Sequence, residues 1–151
     1  MRTVTACLGA VLLGVSLPAR PPPVTVVDAT IHGMQEAMSR GRITSRGLVQ
    51  QSLLRIGLYE DRLNAAITVN PRALDEADER DRERAAGRVR GPLHGIPVAL
   101  KDNIHTTDLR TTGGALAFAD LVPPYDATVT RQLRDAGAVI IAKTQLTELA
   151  N

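Results

Sequence analysis

Aromatic residues are almost missing from this sequence, which has one Phe, two Tyr and no Trp in 151 residues. Its core must therefore be aliphatic, and the aromatic platforms that stack single-stranded nucleic acid are excluded. Cysteine is nearly absent too. The lone Cys7 can form neither a disulfide framework nor a cysteine zinc site. The three histidines, His32, His94 and His105, show no metal-ligand spacing and read as surface or loop residues. A surplus of one charge is also lacking. The net charge is +2, and the 16 arginines are interleaved with acids instead of forming a stripe, so no nucleic-acid partner is expected.

What is present fits one globular domain: 44% of residues are apolar and 23% charged. The first 19 residues stand apart. Arg2 precedes an uncharged apolar run over residues 4–15, and Leu17-Pro18-Ala19 offers small residues to a signal peptidase. The run is too short for a transmembrane helix. It reads as a signal peptide, with a buried helix of the mature fold as the alternative. Export to the periplasm or extracellular space is expected, against a cytoplasmic alternative, with no membrane association once the leader is removed. Residues 20–27 form a proline-rich start of the mature chain, and residues 28–151 form the domain.

Helix and strand signals alternate along that domain. Asp28 or Thr30 can cap a helix over residues 31–40, and Thr44 and Ser45 open another. Residues 63–69 (LNAAITV) suggest a short strand. Asn70-Pro71 then starts a charged helix over residues 71–86, where Glu76 with Arg80 and Asp78 with Arg82 have the spacing of surface ion pairs. Its thin apolar stripe of Leu74, Ala77 and Ala85 suggests a solvated connecting helix. Residues 96–100 (IPVAL) and 138–142 (AVIIA) are strand candidates, the latter of fully buried type. Between them Asp126 is placed to cap a helix over residues 127–135 that presents Val129 and Leu133 on one face. A last helix is expected to begin near Thr144 and Thr147. The class is α/β in layers: N-terminal helices, then alternating strands and helices.

The most constrained segment is residues 91–103, GPLHGIPVALKDN. Two glycines and two prolines within seven residues shape the backbone ahead of a strand that ends in Lys101. Strand alternation puts Lys101 on the face of Ala99 and turns Asp102 away, so Asp102 is poorly placed to pair with it. If that face is buried, the neutral amine is favoured and can act as a general base; otherwise Lys101 is a solvated strand-end lysine. No nucleophile elbow accompanies it. Thr111-Thr112-Gly113-Gly114 lacks the glycine spacing and lysine of a phosphate-binding loop and reads as helix punctuation.

The ordered set GPLHGIP, KDN, TT-x-G, DA, AGA and KT-x-x-x-E resembles the opening block of the amidase-signature family over about residues 28–151. The resemblance implies a layered fold whose mixed sheet is flanked by helices, and a metal- and cofactor-free hydrolysis of carboxamide C–N bonds to acid and ammonia or amine, by a Ser–cis-Ser–Lys triad. In that triad Lys101 would take a proton from the bridging serine, which activates the nucleophilic serine. Both serines belong to a glycine- and serine-rich segment absent from these 151 residues. The expectation is therefore a truncated amidase domain, itself inactive, acting in full-length form on a small-molecule or peptide amide. The leader favours an exported peptide-amide or general amidase over the intracellular tRNA amidotransferase. The alternative is a non-catalytic binding or scaffold remnant. Ala115, Ala142, Gln145 and Leu149 depart from the family's pattern, none at a triad position. Lys143 is implied only as a structural neighbour of Lys101.

Overall fold

The computed structural model describes residues 22–150, so the leader expected over residues 1–19 lies outside it. The helices and strands in chain order are α1 (Ile31–Ser39), α2 (Ser45–Leu63), β1 (Ala66–Val69), α3 (Ala73–Ala85), β2 (Pro97–Lys101), α4 (Thr128–Asp135) and β3 (Val139–Thr144). Short 3-10 turns occupy Leu116–Phe118 and Glu148–Ala150. Among the described residues no helix is long and apolar enough to cross a membrane.

The strands form one mixed sheet in the order β1-β3-β2, with β3 parallel to β2 and antiparallel to β1. This is the α/β architecture expected. β3 is central, and its apolar run is buried from both sides as a two-faced strand requires. Val139, Ile141 and Ala142 pack with Val49 of α2 and with Ala73 and Ala77 of α3. Ile140 packs instead with Leu100, Leu109 and Leu133 of α4. A third cluster joins Met38, Leu48 and Ile96. All three are aliphatic, and the only Phe, Phe118, is exposed. Each buried Leu, Ile or Val contributes about 1.5–3 kcal/mol, so these clusters carry the fold.

Local signals place several boundaries. Thr30 and Thr44 cap α1 and α2, their hydroxyls accepting from Gly33 N and Gly47 N at 3.0 Å each. The Asn70 side chain accepts from Arg72 N at 2.9 Å and donates to the Ile140 carbonyl at 2.7 Å, tying the start of α3 to the sheet. α2 extends to Leu63, so β1 starts only at Ala66, after Asn64 turns the chain in the left-handed region.

Other expectations need correction. Asp126 does not cap α4. It accepts from Thr107 N at 2.8 Å and meets Arg134 at 3.2 Å. The buried face of α4 carries Thr130, whose hydroxyl donates to the His105 carbonyl at 2.7 Å, while Val129 is exposed. In both cases the loop after β2 supplies partners that helical periodicity cannot reveal. Thr144 ends β3 instead of opening a helix, because pairing with β1 and β2 continues through it.

α3 is not a solvated connector. Ala73 and Ala77 are core residues, whereas Ala85 is exposed. Its charges choose tertiary partners over the expected spacing: Asp78 pairs with Arg46 at 2.5 Å, and Asp81 accepts from Ser45 N at 2.7 Å and Arg46 N at 3.0 Å. An acid on α3 thus satisfies the amino end of α2. Glu83 binds Arg80 and Arg90, and the Arg90 hydrogen bond is the leading cause that holds its carboxyl below the usual range.

His94 lies in a turn between α3 and β2, as a loop residue would, but it is fully buried and not at the surface. Its Nε2 donates to the Arg80 carbonyl at 2.9 Å and its Nδ1 accepts from Arg90 N at 3.3 Å, a pattern only the neutral ring satisfies. Burial pushes its pKa below the ordinary histidine value, against the hydrogen bond to Arg80 that raises it. The unfolded chain takes up this proton near pH 6.5, where the folded chain resists it. Stability from His94 is therefore full above about pH 6.5 and falls as pH drops towards the folded pKa. Urea midpoints recorded between about pH 7.5 and 5 should decline in the wild type and less steeply in His94→Gln. Parallel slopes would remove His94 as the cause.

The His94 ring leaves no room at Gly137. A Cβ there would lie 2.7 Å from His94 Nδ1 and 2.9 Å from its Cα, at a φ of +85°. Left-handed strain and overpacking together predict that Gly137→Ala costs about 3 kcal/mol. Gly87, at φ +74° with nothing within 4 Å, carries the strain alone, so Gly87→Ala should cost about 1 kcal/mol. Equal losses in denaturant melts of the two variants would refute the steric part.

Candidate active site

Lys101 ends β2, opposite Thr144 in register on parallel β3, so it stands at the carboxyl end of the parallel pair. In open α/β sheets this is the end where ligands bind. The side chains alternate as expected: Ala99 and Lys101 are exposed while Leu100 and Asp102 are buried. The burial that would have favoured a neutral Lys101 is not supplied by the described residues. Along Lys101's face runs an open apolar groove lined by Ile56, Tyr59, Leu63, Ala66, Ala99 and Ala142.

The other lysine is the buried one. Lys143 and Asp102 are both fully buried, with Lys143 Nζ 3.0 Å from Asp102 Oδ1. Nζ also donates to Thr111 Oγ1 at 2.7 Å and to the Arg110 carbonyl at 3.2 Å, which uses its three N–H groups. Asp102 Oδ2 accepts from Thr112 N at 2.8 Å and from Thr112 Oγ1 at 2.5 Å. Burial pushes the Lys143 pKa down, and the hydrogen bond and charge of Asp102 oppose that shift. Residues 111–114 are therefore not helix punctuation. They form a clasp over a buried ion pair, with Gly113 and Gly114 both at positive φ so that Gly113 N can reach the Asp102 carbonyl at 3.1 Å.

Strand alternation had turned Asp102 away from Lys101; its actual partner, 41 positions on, had no local signal. The described serines make structural bonds to backbone carbonyls: Ser39 to Glu36, Ser45 to Gly95 and Ser52 to Leu48. Among the described residues no group of His, Cys, Asp and Glu is arranged to hold a metal ion.

A second cleft adjoins the clasp, lined by Asn103, His105, Thr111, Gly113, Phe118 and Leu121. His105 and Tyr125 form a tilted ring pair with centroids 5.1 Å apart. The arrangement thus offers a solvent-facing amine at a strand end, an apolar groove on its face and a rigid loop behind it.

A family model described as amidase matches residues 47–151. A glutamyl-tRNA(Gln) amidotransferase chain of Synechococcus sp. (strain CC9605) is 43% identical over 124 residues, covering 82% of this chain and 25% of its own length. The peptide amidase of Stenotrophomonas maltophilia superposes with a TM-score of 0.80 at 48% identity, over 82% of this chain and 26% of that one. The same values hold for a peptide amidase in complex with the competitive inhibitor chymostatin. The chain thus spans about a quarter of the length of these relatives.

Proposed function

Since this chain belongs to the amidase family, we propose that it is the N-terminal part of an enzyme that hydrolyses carboxamides, with Lys101 as proton acceptor. The neutral Lys101 amine takes the proton of a bridging serine, and that serine activates the nucleophile. Both serines are supplied from outside residues 1–151, and their segment desolvates the exposed Lys101. The observation that carries this reading is the position of Lys101 within GPLHGIPVALKDN, at the carboxyl end of β2, with its neighbouring carboxylate already taken by Lys143. A peptide-like or small carboxamide is the substrate, a reading supported by the likeness to peptide amidases.

Ammonia release from peptide amides and small carboxamides tests it. The full-length enzyme should release ammonia, Lys101→Ala should not, and the isolated 151-residue chain should be inert. Release by the isolated chain that disappears in Lys101→Ala would place the whole machinery within these residues and overturn the proposal.

A further inference from the structure

The buried Asp102–Lys143 pair has no part in the proton transfer just proposed. Taking two charges out of water is expensive, and well-packed apolar residues of the same size often serve stability equally well or better. The backbone on which Lys101 and Asp102 sit is held at several points beside the pair. Asp102 N donates to the Thr144 carbonyl at 3.0 Å, the Asp102 carbonyl accepts from Gly113 N at 3.1 Å, and the Lys101 carbonyl accepts from Ile104 N at 3.0 Å. Lys143 itself lies beside Leu100 in the parallel register, one step before the Lys101 and Thr144 pair. Among the described residues β2 is an edge strand, hydrogen-bonded on one side by β3. A terminal residue so placed would fray unless something beyond the ladder held it. The clasp of Asp102, Lys143, Thr111 and Thr112 holds it.

We propose that the Asp102–Lys143 pair, with Thr111 and Thr112, is a positioning element that fixes the backbone from which Lys101 projects, so that its amine is aimed at the bridging serine. This rests on the catalytic reading of Lys101. The role is geometric: hydrogen bonds of 2.5–3.2 Å in fixed directions lock the strand end, and apolar contacts of equal area lack that directionality. Misplacement of a catalytic group by about 1 Å can cost about a hundredfold in rate.

The test is the double variant Asp102→Leu/Lys143→Met in the full-length amidase, which removes both charges and leaves neither unpaired. The expected result is a cooperative thermal melt near that of the wild type, kcat lowered about a hundredfold and KM within about twofold. A folded double variant with wild-type kcat overturns the positioning role. If it does not fold, Thr111→Val decides in the same terms: it removes one acceptor of the Lys143 ammonium, and should lower kcat about tenfold at unchanged KM. Unchanged kcat there overturns the proposal. Lys101→Ala is the control: if it keeps full activity, the catalytic reading has failed; if it is inactive while the clasp variants keep kcat, the positioning role alone has failed.

Discussion

Lys101→Ala should lower amide hydrolysis by the full-length enzyme about 10²–10⁴-fold in kcat, the contribution typical of a general base, with little change in KM. No other amine in this segment can take over. The chain has two lysines, and Lys143 is fully buried with its three donors committed to Asp102, Thr111 and Arg110. Lys101→Arg separates the two things a lysine offers. A guanidinium keeps the positive charge but does not deprotonate in a protein, so it cannot accept the proton. Both variants should be inactive in an ammonia-release assay of the full-length enzyme, and in the isolated 151-residue chain, where the Lys101 side chain is exposed, their unfolding midpoints should stay close to the wild type. An active Lys101→Arg enzyme would mean that charge, not proton acceptance, is what the site needs.

Lys143→Met should destabilise the fold by about 3–5 kcal/mol. The methionine fills the space, but the Lys143 ammonium is the sole partner of Asp102 Oδ1 among the described residues. Removing that ammonium leaves a buried carboxylate uncompensated. Urea unfolding should show this deficit in Lys143→Met and most of it recovered in the double variant Asp102→Leu/Lys143→Met, which removes the carboxylate as well. A double variant as unstable as Lys143→Met would show that the cost comes from packing and not from charge.

The pair and the helix α3 show where local reading stops. The threonine caps at Thr30 and Thr44, the strand ending in Lys101 and the buried run of β3 are short-range features, and each was visible because cap chemistry and side-chain alternation act over a few residues. The failures are choices of partner that spacing alone does not decide. Glu76 and Asp78 had ideal spacing to Arg80 and Arg82, yet Asp78 reaches Arg46 and Glu76 meets Arg72 at 3.5 Å. The burial of His94, a turn residue, was not visible because its two hydrogen-bond partners are backbone groups, which leave no trace in side-chain patterns.

Lys101 marks the same division. Its own block of residues, GPLHGIPVALKDN, determined the strand, the face of the lysine and its separation from Asp102 by the alternation of side chains alone. The likeness of that block to the amidase family supplied its chemical role as an expectation. Only the tertiary structure decided that Asp102 belongs to Lys143 and that residues 111–114 close over the pair. The physical reason is that burial and long-range ion pairing depend on which segments the folded core brings together. Strand register brings Lys143 beside Leu100, and no local pattern in the sequence encodes that meeting.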